Sequence, residues 1–219
     1  MFAWLFALVC LFHSAASPGG GDLPSAKLSI YLTVDSAQPR APVETMKREL
    51  AGILGNAGYR VVWEDLNHPD RTAPAPTLVL LELRGVCALP AGDEPIEPAV
   101  NSGASLAETA ISPHGVTPFS WVNCANLTRL IGPELSAEAG AERDYLYGRA
   151  MARVVAHEIY HVVTGSRDHG RNGVAKASFS VSDLLEEVFP FDSAELAKLR
   201  QKATDSTHAE AAPDTAVGR

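Results

Sequence analysis

Lysine and arginine are scarce in this 219-residue chain, and nowhere do they gather into a run. Eighteen of them stand against 26 Asp and Glu, which leaves a net charge of −8. That balance argues against nucleic acid or an anionic membrane surface as the partner. Cysteine is rare, with three in all and no CxxC pair, so the thiols are not read as metal ligands. No internal repeat is visible. The longest apolar run, Phe2 to Phe12, is too short to span a bilayer comfortably.

What remains is globular. Apolar residues make up 46% and charged residues 20%, and the length suits one domain with a sizeable core. The apolar run ends in Ser14-Ala15-Ala16, a small-x-small cleavage pattern, although no Lys or Arg precedes it. A signal peptide over 1–16 is therefore expected, with a retained N-terminal anchor as the alternative. Residues 17–26 read as a flexible lead-in, 27–203 as a single domain and 204–219 as a disordered tail. Cleavage removes Cys10 and leaves Cys87 and Cys124, which in an exported chain read as one disulfide. The expected location is secreted or periplasmic, with no membrane attachment after cleavage, and the chain is expected to be a monomer.

Elements alternate in the first half. Residues 27–35 and 59–66 read as strands, and between them Val43, Met46, Leu50, Ile53 and Leu54 recur at helical spacing. Residues 77–89 are apolar enough for a strand buried on both faces. Strand, helix, strand, strand predicts an α/β sheet with a parallel pair. Around Pro113-His114-Gly115 a hairpin is expected, and 132–140 reads as a connector. Residues 142–164 hold no Pro and one Gly and predict about six turns of helix, stopped by Gly165. A polar loop, 165–173, follows. Two short helices close the chain, one capped by Ser182 and one with Asp192 and Glu195 spaced as a capping box.

Within the long helix the run VVAHEIYHVVTG carries three titratable groups among apolar ones. Apolar residues spread around most of the helix, so it is expected to lie centrally. Burying two imidazoles and a carboxylate there without partners is costly. His157 and His161 are four apart and project from one face, where both rings can meet one ion. Glu158 lies at the edge of that face, within reach of a water. This is the HExxH spacing, two zinc ligands and a general base on one helix.

Residues 142–173 resemble the zincin metallopeptidases, and the strand–helix–strand order before them is also similar to a zincin N-terminal domain. The resemblance implies an α/β (α+β) fold with a twisted mixed sheet, a long central active-site helix and short C-terminal helices. It implies one zinc ion held by His157 and His161, Glu158 as general base, and a peptide or protein substrate paired along an edge strand near 105–124. The third ligand stays open. Read against the metzincin pattern HExxHxxGxxH, Gly165 comes one place late. His169 is favoured because imidazole suits zinc, Asp168 is the alternative, and Glu186 or Glu187 would fit a gluzincin arrangement. No Met follows Met151 and no Tyr follows Tyr160, so the chain departs from metzincins in lacking a Met-turn and an obvious oxyanion donor. Arg167 and Arg171 are the cations in range.

Two rival readings fit the same residues: a non-catalytic zinc module, or a secreted binding domain without metal. The other histidines carry less. His114 reads as an exposed turn residue, His13 leaves with the leader, and His68 and His208 fall in loop and tail. Trp63 and Trp121 read as core aromatics.

Overall fold

The computed structural model describes residues 25–66, 77–90 and 105–211. The expected leader, residues 1–16, and His68 lie outside the described residues. Five strands form one mixed sheet: β1 Ala26–Val34, β2 Tyr59–Glu64, β3 Thr77–Arg84, β4 Ala107–Ser112 and β5 Gly115–Asn123. Their order is β2-β1-β3-β5-β4. β1 runs parallel to both β2 and β3, and β3 is parallel to β5. Only β4 is antiparallel, folded back on β5 in the expected hairpin through Pro113 and His114, and it forms one edge of the sheet.

Helix α1 (Arg40–Gly55) follows β1 and buries Val43, Met46, Leu50 and Leu54, the spacing read from the sequence. Gly58, at a φ of +87°, turns the chain into β2. The core fills one face of the sheet, where Leu28, Ile30, Val79, Leu81, Leu83 and Val122 meet the helices. β3 is therefore not buried on both faces as expected. It alternates, and Leu78 on the opposite face is 39% exposed.

Two further expectations need correction. The far end of the expected hairpin and the first residues of the expected connector, 132–140, instead belong to helix α2 (Cys124–Leu135). The Asn123 side chain accepts a hydrogen bond from the Asn126 amide and starts it, and Leu127, Ile131 and Leu135 are buried four apart. Helix α4 (Val181–Leu185) is capped by Ser180, not Ser182, with Asp183 completing a capping box. Asp192 Oδ1 accepts from the Ala194 and Glu195 amides at the start of α5 (Ser193–Ala211). That helix runs eight residues into the stretch expected to be a tail, 204–211.

Cys87 and Cys124 form a disulfide, with 4.7 Å between their Cα atoms. It ties the end of β3 to the start of α2. Among the described residues no helix is long and apolar enough to cross a membrane.

Helix α3 (Gly140–Thr164) has 25 residues. Every residue from Tyr147 to His161 is buried, so its sequence shows no clean apolar stripe. It packs on α1 so closely that a Cβ on Gly148 would lie 2.5 Å from the Pro42 carbonyl oxygen. The same helix passes beneath β4 and β5, and there its C-terminal half carries the site.

Candidate metal centre

Gly165 ends α3 in the left-handed conformation, at a φ of +64°, and turns the chain back over the last helical turn. The next residues use that reversal at once. His161 Nδ1 donates to the Ser166 carbonyl at 2.8 Å, and His157 Nδ1 donates to the Val174 carbonyl at 2.8 Å. A carbonyl accepts only, so both rings hold their proton on Nδ1 and a lone pair on Nε2. The two Nε2 atoms face each other at 3.0 Å.

His169 lies between those two anchor points of the loop. Its ring stacks on His157 at 5.2 Å between centroids and meets His161 edge-on at 4.9 Å. One nitrogen from each of the three histidines falls within 4.8 Å of the others. His157 and His161 are buried and His169 is exposed. Two buried imidazoles with their Nε2 lone pairs facing each other, a third imidazole beside them and one side open to the cleft suit zinc, whose catalytic sites keep a position for water or substrate.

The other candidates for third ligand fall elsewhere. Asp168 is exposed, its amide donating to Ser166 Oγ at 3.0 Å, and it is not part of the group. Glu186 and Glu187 are exposed too. The Glu186 carbonyl accepts from Arg149 and Arg153, which anchor the segment after α4. His114 is exposed in the hairpin turn, as expected.

Burial sets the charge state of the site. It pushes the His157 imidazole down to about 4, opposed by the Val174 carbonyl and aided by the two neighbouring histidines. Burial likewise holds His161 below the ordinary histidine value. Glu158 is only 5% exposed, and burial raises its carboxyl to about 7. A hydrogen bond from Thr109 opposes that rise, and the Glu108 charge adds to it.

Thr109 is the contact that sequence reasoning missed. From β4 its Oγ1 donates to Glu158 Oε2 at 2.6 Å. A lone threonine in a predicted hairpin gives no signal, because the register that brings it over α3 exists only in the folded sheet. A cleft of about 340 Å³ opens here, with Thr109 and Ile111 of β4 on one side and Arg167 of the loop on the other. Glu108, Glu158 and the three histidines also line it; Arg171 takes no part.

No family model matches this sequence, and no curated protein does. Among solved structures the chain is similar to the crystal structure of archaemetzincin from Methanopyrus kandleri. The two share 14% identity over 86% of this chain and 99% of that one, with a TM-score of 0.46. Neither value carries a residue role or an activity across to this chain.

Proposed function

We propose that this protein is a zinc-dependent metallopeptidase of zincin type that hydrolyses peptide bonds outside the cytosol. One observation carries the reading. Three histidines converge on a common point, two of them with their tautomers set for ligation, and the Glu158 carboxylate lines the same cleft. His157, His161 and His169 would hold one zinc ion. When bound, that ion supplies Lewis acidity, polarising a carbonyl and making water acidic near neutral pH.

The chain's own residues supply the rest. Glu158 takes a proton from the attacking water and delivers it to the leaving amine. Its low exposure and raised affinity for protons suit a base that must also act as an acid. Ser166 and Val174 fix the two imidazole planes through their carbonyls. β4 is an edge strand on the cleft wall, and an extended peptide can add to it as a further strand. Arg167 is the cation lining this cleft and is placed to stabilise negative charge on the peptide oxygen. The disulfide supports an exported protein.

The test combines metal content with peptide-library cleavage for the wild type and Glu158→Gln. The reading predicts one zinc in both proteins and cleavage by the wild type alone. A zinc-loaded wild type that cuts no peptide, or a Glu158→Gln variant as active as wild type, would contradict it.

A further inference from the structure

We propose that Thr109 is a positioning residue of this site, its hydroxyl clamping one oxygen of the Glu158 carboxylate and leaving the other to act on water. The inference rests on the hydrolytic reading for its kinetic consequences, and on geometry alone for the clamp.

Thr109 Oγ1 meets three oxygens: Glu158 Oε2 at 2.6 Å, the Glu158 backbone carbonyl at 3.3 Å and Ser120 Oγ at 2.9 Å. A hydroxyl has one proton to give, and an ionised carboxylate can only accept. With Glu158 ionised, as the acting base must be, the short bond to Oε2 takes the Thr109 proton, and Ser120 then donates its own to Thr109. The result is a chain of fixed direction, from Ser120 through Thr109 to Glu158. Ser120 is 2% exposed, so water does not compete for its proton. A bond from hydroxyl to carboxylate is of the strong, charge-assisted kind.

The backbone is shaped for this contact. Thr109 pairs with Ser120 across β4 and β5, and the ladder is irregular between Thr109 and Ile111. Bulges of this sort re-aim side chains and gather beside active sites. No salt bridge to Glu158 is found among the described residues, so the threonine is what holds the carboxylate. Packing alone does not need the hydroxyl, because valine has the same shape and suits a strand as well.

The experiment compares zinc-loaded wild type, Thr109→Val and Thr109→Ser on one fluorogenic peptide, with crystal structures of wild type and Thr109→Val. Thr109→Val is expected to lose about 10- to 100-fold in kcat with little change in KM, the usual cost of removing a partner behind a reacting group. Thr109→Ser, which keeps the hydroxyl, should restore most of that loss. Zinc content should be equal in all three, and the crystals should show the Glu158 carboxylate displaced in Thr109→Val. A wild-type kcat for Thr109→Val, or an unmoved carboxylate, would overturn the proposal. If wild type cleaves nothing, the hydrolytic reading falls by itself, and the two crystal structures still decide whether Thr109 holds Glu158.

Discussion

His157 and His161 meet at 3.0 Å through the nitrogen that each has left unprotonated. Two lone pairs at that distance repel unless a cation sits with them. A proton on one ring would serve, but burial holds both rings below the ordinary histidine value. A divalent ion shared with His169 removes the conflict and satisfies all three rings. The arrangement is therefore better explained as a ligand set than as a buried histidine pair.

Glu158 makes the metal-free protein sensitive to pH. Its carboxyl titrates near 7 in the folded chain, above the ordinary value of 4.5. Such a group contributes stability below 4.5 that is lost as pH rises through 7. Glu158→Gln removes that dependence. In urea unfolding of the metal-free proteins, the variant should gain on wild type by about 3 kcal/mol between pH 4.5 and 7.5. A difference that does not change with pH would show that the carboxyl is not perturbed in this way.

Gly148 sets how closely α3 can lie on α1. A methyl group there would meet the Pro42 carbonyl oxygen at 2.5 Å and Thr45 Cβ at 2.6 Å. Gly148→Ala should force the helices apart and destabilise the fold by about 1–3 kcal/mol, the range for overpacking. For a chain of this size that is a fall in Tm of roughly 2–4 °C per kcal/mol. An unchanged Tm would mean that the helix pair is looser than described.

The Cys87–Cys124 disulfide closes a loop with a sequence separation of 37. Replacing both cysteines by alanine should cost about 2–5 kcal/mol. The bond joins the segment just after β3 to the first residue of α2, and neither cysteine lines the cleft of the three histidines, so zinc affinity at 25 °C should stay near that of wild type. Loss of zinc in a variant that is still folded would tie the disulfide to the site.

Much of this was legible in the chain. The spacing of His157, Glu158 and His161 stands out because those groups interrupt an apolar run, and the structure buries all three in the helix where that run predicted them. Gly165 marked the helix end for a local reason, its access to the left-handed conformation. Helix α2 was missed because Gly132-Pro133 reads as a turn, whereas the Asn123 cap and the buried Leu127, Ile131 and Leu135 outweigh it in the fold. β3 misled in the other direction. Its apolar run looked two-sided, yet the core fills one face only. Thr109, Ser166 and Val174 could not be found from sequence. Two of them act through carbonyls, which every residue has, and all three act through positions that only the tertiary fold sets.

The most direct test of the metal centre is native mass spectrometry after zinc loading and dialysis, on wild type, His157→Ala, His161→Ala and His169→Ala. The account predicts one zinc per wild-type chain, none retained by His157→Ala or His161→Ala, and weakened retention by His169→Ala. A folded wild type that retains no zinc, or histidine variants that hold it as tightly as wild type, would contradict it.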